Sequence, residues 1–414
     1  MPETVRLHGM AYGGPAVGRL GDGAAVFFLG GLPGETVEID LTERRKRFGR
    51  GRLVRILEPA AERTEPPCRH FLEGCGGCQW QFASYQAQVD YKQSILADQL
   101  ARMGGIAGAP LLEPVAAPEP FRYRNVVDFH VRGGEIGLNR EGSHELVDLQ
   151  YCPLVEQPIE QALVAIRRRR DRLGSIAAVQ VRHGADALQV TLVTDDDPRG
   201  YKLLAAQLAE EIGGDCRVAG LGHATNKLRG LHGDPWVSME LAGRRFRVSA
   251  PSFFQVNAAV AELLAERVAG QVRSNSRVID LFSGVGTFGL LAAERAAEVV
   301  GVEESAFALA DASANAAEAA AENVRFVHSD VGAAQALVEE GWDLTILDPP
   351  RSGCPRSILE ALKSERIAYV SCDPSTLARD LRALVDRGFK LESVQLLDMF
   401  PQTYHIECLA VLSK

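Results

Sequence analysis

From Ser276 onward the chain repeats one pattern, and that pattern limits the fold more than any other feature. RVIDL reads as a strand, FGLLAAERA as a helix and EVVGVE as a strand; an Ala-rich helix over 305–321 then leads to the strand VRFV. A helix near 332–340 precedes the strand DLTILD, and after another helix come the strand IAYVSC and the helix STLARDLRALVDRG. KLESVQLLDMF and HIECLAVLS close the chain and predict an antiparallel pair. Strands that are apolar throughout, alternating with amphipathic helices, form a parallel sheet covered on both faces. This third of the chain is therefore expected to be a Rossmann-like α/β domain.

The rest of the 414 residues is organised differently. At roughly 100–200 residues per domain the length allows two to four domains. Residues 4–58 read as five short strands with glycine turns, the pattern of a small OB-like barrel. A proline-bounded linker follows, then a cysteine segment (68–78) and a helix from about Tyr85 to Met103. VVDFHVRGGEIGLN and AAVQVRHGADALQVTLV each predict a hairpin, and 156–172 and 200–212 predict helices. These patterns divide the chain into 1–59, a central α+β unit over 60–245, and 246–414.

The formal net charge of −9 hides an uneven distribution. Residues 1–58 hold nine Lys/Arg against seven Asp/Glu, and LTERRKRFGRGRLVR (41–55) has seven basic residues and one acid. A local basic patch of this kind captures phosphates, so a nucleic-acid partner is compatible with the acidic total; a solvated strand end is the plainer reading. No apolar run is long enough to span a bilayer, and the N-terminus lacks the apolar core of a signal peptide. The expectation is a cytoplasmic monomer with no membrane partner.

RVIDL runs into Phe282-Ser283-Gly284-Val285-Gly286-Thr287-Phe288-Gly289, with Glu303 ending the next strand. Glycines here let backbone approach a ligand, and the carboxylate suits a ribose diol. Dinucleotide folds share this layout. Asp280 at the strand end separates the cases, because its charge opposes a pyrophosphate but favours the sulfonium or ammonium of S-adenosylmethionine. Asp348-Pro349-Pro350 ends the strand DLTIL and resembles the fourth motif of methyltransferases. Asp330 follows VRFV where such enzymes contact adenine. Four acids end four successive strands, and such sheet ends are where ligands bind.

The strand IAYVS ends in Cys372, followed by Asp373-Pro374 and a helix. Asp is a good N-cap and Pro a good first helical residue, so Cys372 lies at a helix N-terminus, a setting expected to favour thiolate. Glu407, 35 positions later, sits among apolar neighbours, where a carboxylate is costly unless paired or functional. A thiolate nucleophile and a carboxylate base are what methylation of a pyrimidine at carbon 5 requires.

The runs YVSCDPSTLARDL, LLDMFPQTYHIECL, FFQVN (253–257), DLFSGVGTFGL and LDPPRSG together resemble the RNA 5-methyluridine methyltransferase family. The likeness covers nearly the whole chain, including the N-terminal TRAM domain of the family's ribosomal-RNA branch. It implies that Cys372 is the nucleophile and Glu407 the base. It implies cofactor contacts by Gln255, Phe282, Thr287, Glu303, Asp330 and Asp348, although several members have Asn where this chain has Thr287. FRYRN (121–125) also resembles the family and is expected near RNA. The implied C-terminal fold is a class I methyltransferase domain, and the implied substrate is RNA, with ribosomal RNA ahead of transfer RNA.

Cys68-x6-Cys75-Gly-Gly-Cys78 with Cys152 resembles the family's iron–sulfur site, which implies a 4Fe-4S cluster. Members usually have five residues between the first two cysteines; this chain has six. Tetrahedral zinc also takes four cysteines. Cys216, Cys354 and Cys408 read as inert buried thiols. Three rival readings compete: an RNA 5-methylcytosine methyltransferase, an NAD-dependent oxidoreductase, and a non-catalytic RNA-binding protein. The first typically places a cysteine directly after the prolines at 349–350, where this chain has Arg351. The second leaves Cys372, Glu407 and the cysteine cluster unexplained, and the intact site argues against the third.

Overall fold

A computed structural model describes residues 2–414. Strands β1 (Glu3–Met10), β2 (Ala16–Arg19), β3 (Ala25–Phe28), β4 (Thr36–Arg44) and β5 (Phe48–Glu58) close into a barrel in the order β1-β2-β3-β5-β4. Period-two alternation sends Val5, Leu7, Val26, Phe28, Val37 and Ile39 inward. The buried carboxylate of Glu35 accepts from Leu32 N at 2.8 Å and from Arg63 Nε at 2.5 Å. Arg63 lies in the linker, so this ion pair fastens the barrel to the start of the central unit.

Between the barrel and the C-terminal domain run α1 (Arg69–Leu72), α2 (Tyr85–Arg102), β6 (Val126–Arg132), β7 (Glu135–Asn139), β8 (Leu146–Asp148), α3 (Gln157–Arg168), β9 (Ile176–His183), β10 (Leu188–Thr194), α4 (Lys202–Ile212), β11 (Cys216–Gly222) and β12 (Lys227–His232). Their sheet has the order β12-β11-β10-β9-β6-β7-β8 and is antiparallel except for β10–β11, the pair joined through α4. Ile159, Ala162, Leu163 and Ile166 of α3 recur at helical spacing and bury against it.

The C-terminal region begins with a hairpin, β13 (Trp236–Leu241) and β14 (Arg244–Ser249), followed by α5 (Ala258–Ala269). Then come β15 (Arg277–Leu281), α6 (Thr287–Ala292), β16 (Glu298–Glu303), α7 (Ala306–Glu318), β17 (Val324–His328), α8 (Gln335–Val338), β18 (Leu344–Leu347), α9 (Arg356–Ala361), β19 (Arg366–Ser371), α10 (Pro374–Asp386), β20 (Lys390–Leu397) and β21 (Glu407–Ser413). The sheet order is β17-β16-β15-β18-β19-β21-β20, parallel except that β21 runs against both β19 and β20. Strand order reverses between β15 and β18, and ligands bind outside such a switch point.

Alternate residues of each strand enter different cores. Val278, Val299 and Ile346 pack with α5, α6 and the β13–β14 hairpin. Ile279, Val300 and Leu347 face the other layer, which contains Val89, Ile95, Leu96 and Leu100 of α2. Thus α2, which precedes the central sheet in sequence, covers the C-terminal one. Its Lys92 is fully buried and donates to Asp398 at 2.6 Å and to the Phe400 carbonyl at 2.9 Å. That pair anchors the segment between β20 and β21. No helix among the described residues is long and apolar enough to cross a membrane.

Candidate active site

The glycine loop after β15 is built by backbone geometry. Phe282, Gly284 and Gly286 all have positive φ (67°, 55° and 85°), and Gly286 opens α6. A Cβ on Gly286 would stand 2.7 Å from the Phe326 ring, so position 286 needs glycine for space as well as conformation. Glu303 fixes the loop from below: Oε2 accepts from Gly284 N at 2.9 Å and Oε1 from Ser305 N at 2.7 Å. Thr287 is the first residue of α6.

Asp280, Glu303, Asp330 and Asp348 stand at the C-terminal ends of β15, β16, β17 and β18, adjacent strands of one sheet. Asp280 Oδ2 accepts from Gly289 N at 2.9 Å, while Oδ1 is buried without a partner. Burial, with Asp348 and Glu303 nearby, pushes its carboxyl up to about 8, and burial pushes Asp348 up to about 7. A cationic ligand would reverse both shifts by favouring the charged forms. The donor set therefore fits a sulfonium or ammonium cation. Asp330 is exposed at the sheet's edge, where it precedes a 3-10 turn.

Gln255 is buried in the FFQVN segment, and FRYRN holds that segment in place. Asn125 N donates to the Val256 carbonyl and Asn125 Nδ2 to that of Gln255, each at 3.0 Å. Tyr123 Oη donates to the Pro401 carbonyl at 3.0 Å. FRYRN thus ties together two segments that border the site. Arg182 of β9 donates to the Ser252 carbonyl at 2.7 Å.

The separation of Cys372 from Glu407 in sequence is closed by strand register. Antiparallel pairing of β19 with β21 sets Ser371 opposite Cys408, and the next step along brings 372 toward 407. Asp373 caps α10 by accepting from Ser375 N at 2.9 Å and Thr376 N at 3.0 Å. Arg351, directly after the prolines, lies close enough to favour the charged forms of both the thiol and Glu407.

The expectation of a thiolate at Cys372 needs correction. Burial first, then the carboxylates Glu407 and Asp348, push the thiol up to about 12. Cys372 precedes the cap residue, so the helix N-terminal field is spent on Asp373. Glu407 is itself buried, and burial with Asp348 pushes its carboxyl well above the ordinary range. Burial and the neighbouring carboxylates thus hold the thiol toward its protonated form, beside a carboxyl group held the same way.

Cys68, Cys75, Cys78 and Cys152 come together from the α1 segment and the end of β8. All four are free thiols, three of them buried and Cys75 partly so. Burial pushes Cys75 up to about 11, with Cys152 and Cys68 adding to the shift, and Cys152 and Cys75 act the same way on Cys78. Gln81 is buried with both side-chain polar atoms otherwise unpartnered, and it is oriented to stabilise charge on Cys78. Among the described residues no group of three or more His, Cys, Asp or Glu is arranged to hold a metal ion. Four soft donors with an amide beside them nonetheless match the chemistry of an iron–sulfur or zinc centre. Cys216, Cys354 and Cys408 are buried, as expected.

The barrel's basic run is more neutralised than its composition implies. Arg44 pairs with Asp22, Arg52 with Asp40 at 3.2 Å and Arg55 with Glu38 at 2.8 Å. These acids are local in space and spread through sequence, which composition over 41–55 does not reveal. Sequence reading also missed the Lys92–Asp398 pair and Arg182. A lysine in an amphipathic helix carries no mark of burial.

Residues 236–414 match the family model described as tRNA (Uracil-5-)-methyltransferase, and residues 4–54 match the TRAM domain. An uncharacterized RNA methyltransferase of Gloeobacter violaceus is 34% identical over 99% of this chain and 96% of its own length. A 23S rRNA (uracil(1939)-C(5))-methyltransferase, RlmD, of Shewanella sediminis is 33% identical over 94% of this chain and 91% of its own. A solved structure with the same fold is the Pyrococcus abyssi tRNA (uracil-54, C5)-methyltransferase in complex with S-adenosyl-L-homocysteine. It has a TM-score of 0.77 at 23% identity and covers 100% of this chain and 99% of its own. The chain belongs to the RNA (uracil-5-)-methyltransferase family, and its N-terminal barrel is a TRAM domain.

Proposed function

We propose that this enzyme methylates carbon 5 of a uridine in 23S ribosomal RNA through a covalent bond between Cys372 and the uracil. The observation that carries the chemistry is the placement of Cys372 and Glu407 on paired strands beside Asp348. Gln255, Phe282, Thr287, Glu303, Asp330 and Asp348 would hold S-adenosylmethionine at the ends of β15–β18, and the cofactor would supply the methyl group and leave as S-adenosylhomocysteine. Cys372 gives its proton to solvent as its sulfur adds to carbon 6, and the electrons of the 5,6 double bond make carbon 5 nucleophilic. After carbon 5 has gained the methyl group, Glu407 removes its remaining proton. The double bond re-forms and the thiolate leaves. Once its resting proton has left to solvent, a carboxylate of raised proton affinity suits that last role.

Ribosomal RNA is favoured by the Shewanella relative and by the cysteine set. The wording of the matched family model supports transfer RNA as the second reading. Cys68, Cys75, Cys78 and Cys152 are proposed to hold a 4Fe-4S cluster that orders the central unit. We assign affinity for RNA mainly to 1–59, substrate support to 60–245 and chemistry to 246–414. Mass mapping of 5-methyluridine in total RNA from a strain lacking the protein tests the target. Loss from 23S RNA is expected; loss only from transfer RNA overturns the ribosomal assignment.

A further inference from the structure

The loop between β1 and β2 leaves the barrel and reaches the catalytic edge. There the hydroxyl of Tyr12 donates to Asp373 Oδ2. The other carboxylate oxygen is committed to the cap of α10, accepting from Ser375 N, Thr376 N and, at 2.6 Å, Ser375 Oγ. The turn around Cys372 is closed by Ser371 Oγ, which accepts from Asp373 N at 3.2 Å and donates to the Asp373 carbonyl at 3.1 Å. Asp373 is thus the fixed point from which Cys372 is held, and Tyr12 takes its only oxygen not used by the helix.

The loop is seated from two other directions. Trp80 Nε1, two residues past Cys78, donates to the Gly14 carbonyl at 3.3 Å. Gly14 lies flat on Tyr404, so closely that a Cβ would stand 2.7 Å from the ring. Tyr404 belongs to the segment that leads into Glu407. The same loop borders an open cleft of about 690 Å³ on the barrel, lined by Tyr12, Phe27, Leu29, Phe48 and Arg50. A single loop therefore joins the barrel's surface to the turns bearing both catalytic side chains.

We propose that Tyr12 is a positioning residue for methyl transfer: its hydroxyl, carried by the TRAM barrel, fixes Asp373 and thereby the aim of Cys372 at the uracil. The inference rests on Cys372 being the nucleophile. A hydrogen bond from a phenol also draws charge away from a carboxylate that otherwise opposes thiolate formation next door. Misplacement of a nucleophile by an ångström costs as much as ~100-fold in rate, so a single hydroxyl acting on the anchor of Cys372 has a measurable reach.

The test uses the full chain, S-adenosylmethionine and an in vitro 23S ribosomal RNA transcript. Tyr12→Phe keeps the ring and deletes the hydroxyl. Single-turnover methyl transfer at saturating RNA is expected to fall about tenfold, with the Kd for RNA within about twofold and cofactor affinity unchanged. A merely structural or RNA-contacting tyrosine would change Kd and spare the saturated rate. An unchanged saturated rate overturns the proposal, whatever happens to Kd. Cys372→Ala, run alongside, keeps the premises apart: methyl transfer by that variant sinks the nucleophile assignment, whereas wild-type rates in Tyr12→Phe sink only the role of Tyr12.

Discussion

Two buried clusters in this molecule obey the same electrostatics and are built in different ways. At the candidate active site, Asp280, Asp348, Cys372 and Glu407 are all pushed toward their protonated forms by burial, and all but Asp348 also by neighbouring carboxylates. In the central unit, Cys75, Cys78 and Cys152 are pushed the same way by burial and neighbouring thiols. Each cluster favours a positive charge. The groups of the first cluster hang from strand ends and a helix cap whose hydrogen bonds exist independently of any ligand. The cysteines hang from a one-turn helix and glycine-rich coil, which a bound centre would have to organise. The difference teaches that the first cluster suits a cation that comes and goes, and the second suits one that stays.

The sharpest way to break this contrast is to separate the two residues proposed to act as nucleophile and base. Cys372→Ala should form no covalent RNA adduct and bring methyl transfer to background. Glu407→Gln should still attack and methylate but fail to remove the proton, because an amide is too weak a base; turnover should drop about 10²–10⁴-fold. The expected product is a methylated RNA–protein adduct stable on a denaturing gel. Normal turnover by Glu407→Gln would show that Glu407 is not the base. Absence of an adduct, with RNA and cofactor still bound, would move its action to an earlier step.

The cysteine cluster should respond through the fold. Anaerobically purified protein is expected to be brown and to contain iron and sulfide; stoichiometric zinc without sulfide would refute the 4Fe-4S assignment. Cys78→Ser should lose the colour and lower Tm by several degrees, since binding energy at a site formed from coil is folding energy. It should also slow catalysis modestly, about tenfold or less, by the misplacement argument. Gln79 N and Trp80 N both donate to the Gln402 carbonyl, at 2.9 and 3.0 Å. Gln402 in turn exchanges hydrogen bonds with buried Gln88 of α2. A loosened cysteine loop therefore loosens the approach to Glu407. A fully active, equally stable Cys78→Ser would show that the cluster is dispensable to both.

Much of this architecture was legible because the signals are local. The strand-and-helix alternation after Ser276 predicted the parallel sheet, and the acids ending its strands lie side by side because β16 and β17 add on one side of β15 and β18 adds on the other. The five barrel strands were visible through glycine turns. What escaped was set by tertiary packing. Nothing near Tyr85–Arg102 indicates that α2 belongs to the C-terminal core. The partners of the barrel arginines lie on other strands, and the contact of Tyr12 with Asp373 spans 361 positions. The error over the thiolate has the same origin: the helix terminus next to Cys372 is local, but the carboxylates opposing it arrive from β18 and β21.

The last expected effect removes no side chain and concerns the transient cation. Folding raises the carboxyl of Asp280 from about 4 to about 8 and that of Asp348 to about 7. A raised carboxyl binds its proton more tightly in the folded state, so its contribution to stability is full below the unfolded value and is lost as pH rises through the folded one. Cofactor-free protein should therefore lose Tm between about pH 4 and 8. S-adenosylmethionine favours the ionised carboxylates, so its affinity should rise with pH over the upper part of that window, by up to about tenfold per unit for each proton released. The rise should flatten above the pKa of Asp280. Calorimetry at pH 7 in buffers of different ionisation heat should then report proton release on binding. Asp280→Asn keeps an acceptor for Gly289 N and removes the charge, so it should weaken binding and shallow the pH dependence. S-adenosylhomocysteine, which lacks the sulfonium charge but keeps the ammonium, should show a smaller proton release than S-adenosylmethionine. Equal release by both ligands would mean that the carboxylates serve the ammonium group alone. Affinity independent of pH in the wild type would mean that neither carboxyl titrates on binding, and the likeness between the two clusters would fail at its first member.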